Sequence, residues 1–105
     1  MIRSRAIRES AKGEQCTLNI AGVCNYNPET TVLAHLPDES HGMGQKVDDF
    51  ISCYSCSTCH MYIDGIYAND GERGAEFKTM REWYFRRAMV RTWRRLIEKG
   101  LVIIK

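Results

Sequence analysis

The sequence predicts a small α+β fold made of short strands and helices and closed by one long, basic C-terminal helix. Three observations lead there. Short β-branched and apolar runs alternate with turn residues through the first half of the chain. A stretch from 75 to 99 repeats apolar residues at helical spacing. Five cysteines stand in a chain of 105 residues, too short to bury a thick core and therefore in need of extra fastening. Together they describe one domain, 1–105, with a core at about 14–68 and a basic helix at about 75–99.

The elements follow in order. Residues 4–12 read as a short helix closed by Gly13. Residues 17–20 read as a short strand, and 25–29 as a turn in which Pro28 sets the backbone. Residues 30–36 are β-branched at first and apolar later, a strand ending at Pro37. A polar loop, 38–46, holds Gly42 and Gly44, and a second strand covers 50–54. Ser57 is placed to cap a helix from about 58 to 67, with a loop at 69–71. In the last helix Phe77, Met80 and Tyr84 recur at helical spacing, as do Phe85, Met89, Trp93 and Leu96, a stripe that reads as core rather than as a base-stacking platform. Gly100 stops it, and 101–104 form a last strand or pack beneath it.

Composition excludes several classes. A hydrophobic content of 44% with 27% charged residues fits an ordinary globular domain, not a disordered one. The longest wholly apolar run, 101–104, is far short of a membrane span. The start, Met1-Ile2-Arg3-Ser4-Arg5, lacks an apolar signal core, so the expectation is a protein that stays in the cytoplasm. The net charge of +2 excludes an extreme acidic or basic protein, but it is segregated. Residues 75–99 carry eight Lys/Arg against three Glu, a local +5 that leaves −3 elsewhere. Arg86, Arg87, Arg91, Arg94 and Arg95 lie in that segment and suggest a polyanionic partner; a solvated helix face is the plainer alternative.

Cys16, Cys24, Cys53, Cys56 and Cys59 are odd in number and lack an export signal, which argues against a disulfide framework. Cys56-Ser57-Thr58-Cys59 has the spacing with which one turn of backbone offers two sulfurs to one metal. Cys16 and Cys24, eight apart across an Ala21-Gly22 turn, can complete a tetrahedral site. Zinc suits four thiolates and would couple metal binding to folding. The alternatives are free cysteines, a redox C-x-x-C without its usual βαβ setting, or Cys53 in place of Cys56.

A strand ending in His35, a loop, a second strand and a helix carrying His60 and Asp64 form the other constellation. His60 and Asp64 are four apart, so both project from one helical face and can hold a divalent cation. His35, arriving from the strand, suits a general base that takes a proton from water. Taken alone, His35 would be a hydrogen-bonded core histidine, and His60 could replace a cysteine on zinc.

These residues carry a resemblance. Cys16…Gly22-Val23-Cys24-Asn25, Asn27-Pro28-Glu29-Thr30 and Leu33-Ala34-His35 are followed by Gly42-x-Gly44-x-Lys46-x-x-Asp49 and Cys56-Ser57-x-Cys59-His60-x-x-Ile63-Asp64. The pattern resembles the HNH (His-Me finger, ββα-metal) endonucleases, and within them the phage- and prophage-encoded nucleases of the YbcO type, over roughly residues 8–64. The resemblance implies a zinc-stabilised ββα-metal core and metal-dependent cleavage of a DNA phosphodiester to a 5′-phosphate and a 3′-hydroxyl, with no small-molecule cofactor. It implies His35 as general base and a separate cation, magnesium, held by His60 and Asp64. It implies structural zinc on Cys16, Cys24, Cys56 and Cys59, and a bacterial host cell.

The chain also departs from that pattern. Many HNH enzymes place a metal ligand just before the general base; here that residue is Ala34. The middle Asn is not evident; Asp49 either stands near its place or orients His35. Lys46 is a phosphate contact or a plain loop lysine, and His41 reads as a surface histidine. A zinc-binding nucleic-acid-binding module that cuts nothing, or a degenerate HNH fold, remains the second reading.

Overall fold

The computed structural model of the chain describes residues 1–37 and 47–105. Helix α1 (Arg5–Glu9) begins where Ser4 stays extended and its hydroxyl accepts the Ile7 N–H. The chain then passes the cysteine-bearing segment and a 3-10 turn, Pro28–Thr30, capped by the Asn27 side chain. Strands β1 (Val32–His35) and β2 (Ser52–Ser55) pair antiparallel, with Val32 opposite Ser55 and His35 opposite Ser52. Helix α2 (Ser57–Ile63) follows directly, then a second 3-10 turn, Ile66–Asn69. Helix α3 (Gly71–Glu98) completes the small α+β fold. Its 28 residues span about 42 Å at the usual rise, which accounts for the 44 Å long axis of the molecule.

α3 organises the packing. Phe77, Tyr84, Phe85 and Ala88 bury one face against Leu18, Ile20, Ala34, Leu36 and the start of α2. A smaller cluster joins Leu96 to Ala11 and Tyr54. The aromatic stripe therefore serves as core, as its spacing predicts. Polar groups staple the same helix to the sheet. The fully buried Thr92 hydroxyl accepts the Tyr54 N–H at 3.0 Å and meets the Thr17 hydroxyl at 3.0 Å. Trp93 Nε1 donates to the Phe50 carbonyl at 3.2 Å. Glu14 receives Arg95 at 2.8 Å and Lys99 at 2.7 Å.

Several sequence expectations need correction. Residues 17–20 are not a strand: Asn19 adopts φ 42°, and Leu18 and Ile20 turn inward beside the cysteines. The strands start later than their β-branched runs suggest, at Val32 and Ser52, because Pro28–Thr30 coils first and residues 49–50 turn. Cys56, not Ser57, caps α2, its sulfur accepting the Cys59 N–H at 3.3 Å. α2 stops at Ile63, four residues short, because Gly65 (φ 154°) redirects the chain. Residues 69–71 are not a free loop: α3 already starts at Gly71 rather than at 75, seated on the preceding 3-10 turn. Residues 101–104 make no strand; the Leu101 and Val102 N–H groups close onto the Leu96 carbonyl and Val102 joins the small cluster. The glycine loop 38–46, with His41 and Lys46, lies outside the described residues.

Gly74 shows why the helix starts there. A Cβ at this position would lie 1.9 Å from the Tyr67 carbonyl oxygen, so only glycine lets the first turn of α3 sit on Ile66–Asn69. Gly74→Ala is expected to cost at least the ~1–3 kcal/mol typical of overpacking. Urea denaturation followed by circular dichroism checks this, and an unchanged midpoint would contradict the close approach.

Candidate metal centre and catalytic groups

The metal centre is built by three local features. The turn at Gly22 (φ 76°) folds the segment back, so that the Val23 and Cys24 N–H groups both bond the Ile20 carbonyl and Cys24 returns toward Cys16. The first turn of α2 places Cys56 and Cys59 on one side. The four sulfurs of Cys16, Cys24, Cys56 and Cys59 all lie within 4.8 Å of one another, and those of Cys24 and Cys56 are 3.9 Å apart. A tetrahedron with Zn–S bonds of ~2.3 Å needs sulfurs about 3.8 Å apart. The quartet is thus positioned to bind a metal ion and is compatible with structural zinc. Backbone N–H groups already point at two sulfurs: Asn19 to Cys16 at 3.4 Å and Cys59 to Cys56 at 3.3 Å.

The crowding of the quartet also makes its thiols perturb one another. The Cys59 thiol donates to Cys16, which pulls Cys16 down to about 5 and pushes Cys59 well above the ordinary thiol range. Burial raises Cys24 to about 11. Packed thiols cannot all ionise together unless a cation balances them. Cys53 is separate. It faces Ala34 across the sheet, is fully buried, and burial pushes its thiol up to about 12; it is no member of the quartet.

His60 follows Cys59 but stays outside the quartet. Its Nε2 lies 3.4 Å from Asp64 Oδ2, both groups partly exposed, so the one-face placement read from their spacing is realised. Among the described residues no third His, Cys, Asp or Glu joins this pair, so any cation here would hold mostly water.

His35 ends β1, where its ring Nε2 lies 2.8 Å from Asp49 Oδ1. Asp49 is 3% exposed. Burial works against its charge, but the Ser4 N–H at 2.6 Å, His35 and Arg8 at 3.4 Å outweigh it and hold the carboxyl below its ordinary range. An ionised Asp49 accepts, so His35 Nε2 is the donor and Nδ1 is the ring nitrogen not engaged by the carboxylate. Of the two roles open to Asp49 in the sequence, it thus takes that of orienting His35. Sequence reasoning missed the N-terminal strap. Ser4 and Arg8 reach Asp49, the Ile2 N–H bonds the Asp48 carboxylate, and the Asp49 N–H bonds the Ile2 carbonyl at 2.8 Å. No local pattern links groups more than forty residues apart.

The arginines divide into two sets. Arg87 donates to the carbonyls of Leu18 (2.8 Å) and Asn19 (3.3 Å), and Arg95 pairs with Glu14, so both tie α3 to the cysteine segment. Arg86, Arg91 and Arg94 are exposed.

Two outcomes are expected. Stripping metal with a chelator, or Cys59→Ser, should lower the thermal midpoint by many degrees, since four packed thiolates need a bound cation to hold them together; a midpoint indifferent to zinc would refute the centre. For Asp49, a depressed folded pKa means that its contribution is complete above the ordinary carboxylate range and is lost as pH falls through the lowered value. The stability gap between wild type and Asp49→Asn should therefore narrow on acidification, as measured by urea melts across the acid range, and a constant gap would count against the ionised carboxylate.

Three similarities bear on this geometry. The family profile described as "Putative nuclease YbcO" matches residues 5–101. The "Putative nuclease YbcO" of Escherichia coli (strain K12) is 48% identical over 59 residues, 55% of this chain and 62% of its own length, and that of Enterobacteria phage 82 matches to the same extent. The alignment thus spans less than two thirds of either relative. A solved chain described as "Structure of a putative bacteriophage protein from Escherichia coli str. K-12 substr. MG1655" superposes with a TM-score of 0.63 at 32% identity, over 90% of this chain and all of that one. No helix among the described residues is long and apolar enough to cross a membrane. Because the profile runs from α1 past the end of α3 and takes in the quartet and both histidines, the chain belongs to the YbcO family, whose name is that of a nuclease.

Proposed function

We propose that the chain is a metal-dependent endonuclease of the HNH (His-Me finger) type, one domain over residues 1–105, that hydrolyses DNA phosphodiester bonds. The observation that carries this reading is the 2.8 Å bond between His35 and the buried Asp49. It fixes the ring and leaves Nδ1 as the basic nitrogen, the arrangement a general base needs. His35 would take a proton from water as the water oxygen attacks phosphorus and the P–O3′ bond breaks, and the departing 3′-oxygen would take a proton from solvent, leaving a 5′-phosphate and a 3′-hydroxyl. His60 and Asp64 fit a hard divalent cation, magnesium, which would supply positive charge at the scissile phosphate and the leaving oxygen. The zinc on Cys16, Cys24, Cys56 and Cys59 would be structural, holding the helix from which His60 and Asp64 project. Arg86, Arg91 and Arg94, together with Lys46, would meet phosphates, giving strong salt dependence and modest sequence preference.

One observation favours a second reading, a module that binds nucleic acid without cutting it. Ala34 is fully buried where many HNH enzymes offer a ligand, and His60 and Asp64 gain no third partner among the described residues. Plasmid nicking by zinc-loaded protein, with and without magnesium, separates the two. Nicking that requires magnesium and falls at least ~100-fold in His35→Ala supports the nuclease. Nicking at the wild-type rate by that variant removes His35 as the base, and DNA binding with no nicking of plasmid or branched DNA favours the second reading.

A further inference from the structure

We infer that α3 carries a platform for an unpaired nucleotide, with the Trp83 ring stacking a base and the neighbouring guanidiniums holding the flanking phosphates. The inference rests on the nucleic-acid reading above and specifies the form of DNA that this surface takes.

Trp83 stands half exposed on the outer side of α3, next to the buried Tyr84 and Phe85. The ring is nonetheless held. The Arg87 guanidinium lies 4.5 Å from its centroid, over the ring, and the Tyr84 ring meets it edge-on at 5.0 Å. Arg87 is itself pinned by the Leu18 and Asn19 carbonyls, beside Cys16. One face of the ring is thus covered by a guanidinium tied to the cysteine-bearing segment, while the residue stays half exposed to solvent. Rigid presentation lowers the entropic cost of binding.

The surroundings decide the partner. Trp83, Arg86, Arg87, Val90, Arg91 and Arg94 line a cleft of about 370 Å³, and among the described residues no acidic one lines it. Arg86, Arg91 and Arg94 form no hydrogen bond or ion pair with the described residues, whereas Arg95 and Lys99 farther along the helix are answered by Glu14. A second copy of the chain laid on this face would set arginine against arginine. Guanidinium forks match phosphate oxygens, and an indole face matches a nucleobase face. In a duplex the base faces are covered by their neighbours, leaving only phosphates and groove edges to a protein. An exposed Trp face therefore gains its stacking contact only from an unpaired base, as in a single strand, a flap or a branch point.

The test uses the full-length, zinc-loaded His35→Ala protein and four probes: a short oligo-dT, an abasic strand of equal length, a matched duplex and poly-glutamate. Binding is read by anisotropy and by tryptophan fluorescence. The expected result is oligo-dT bound about tenfold more tightly than the abasic strand, with quenched fluorescence. Trp83→Ala should bring oligo-dT down to the abasic level with zinc content and helicity unchanged. Trp83→Phe should keep most of the affinity and lose the quenching. Arg86→Gln with Arg94→Gln should weaken oligo-dT and the abasic strand alike. Equal binding of oligo-dT and the abasic strand, or wild-type affinity in Trp83→Ala, overturns the platform. Poly-glutamate binding that matches oligo-dT and vanishes in Trp83→Ala also overturns it, in favour of an acidic protein. If wild type binds and nicks duplex while oligo-dT shows no excess over the abasic strand, the platform fails and the nuclease reading stands. If no nucleic acid binds, both fall.

Discussion

Four sulfurs gathered within 4.8 Å set the condition under which the rest of this structure holds. Thiols brought that close cannot share negative charge without a cation. The chain nevertheless places them at the corner where the segment after α1, the end of β2 and the start of α2 meet. Cys56 caps α2, so the orientation of His60 and Asp64 follows from where that sulfur sits. The loop that carries Cys16 supplies the carbonyls that seize Arg87 and the hydroxyl that meets Thr92. In a protein with so thin a core, a metal bound at that corner would add stability that apolar burial alone does not supply.

A second junction lies at the opposite end of the hairpin. Asp49 is buried, and a buried carboxylate without partners would cost several kcal/mol (~2–7 even for a neutral polar group). Its donors come from separate parts of the chain: the Ser4 N–H, the Arg8 side chain and the His35 ring. The N-terminal strap is therefore part of the environment of His35 rather than a free tail. β1 places the imidazole, and the strap and Asp49 decide which of its nitrogens carries the proton.

α3 connects the two junctions and has two distinct surfaces. Its inner side buries aromatic rings against the quartet and the sheet, and Thr92 satisfies a backbone donor that β2 would otherwise leave unpaired. Its outer side carries arginines. Those that find carbonyls or Glu14 fasten the helix; those that find no partner among the described residues give the helix its positive field. A helix as long as the molecule can do both because successive residues point to different sides.

Much of this arrangement was legible without coordinates. The two-residue gap between Cys56 and Cys59, the four-residue gap between His60 and Asp64, and the helical stripe from Phe77 to Leu96 are local patterns, and local geometry enforces them. Element boundaries were less legible. Residues 17–20 look β-branched and apolar, yet Asn19 adopts φ 42° with its N–H on the Cys16 sulfur, and no strand forms there. The early start of α3 was hidden because Gly71 and Gly74 are poor helix formers; Gly71 is favoured by its φ of 55° and Gly74 by its seat on the Tyr67 carbonyl. By itself, then, the sequence determined the ligand types, their spacing and the charge of the last helix, because each depends on residues within a turn or two of one another. Tertiary structure alone decided that Asp49 would bond His35, that Ser4 and Arg8 would reach that carboxylate, and which arginines would be tied to carbonyls or to Glu14. Those outcomes depend on contacts between segments tens of residues apart, which the energetics of burial select and no local spacing encodes.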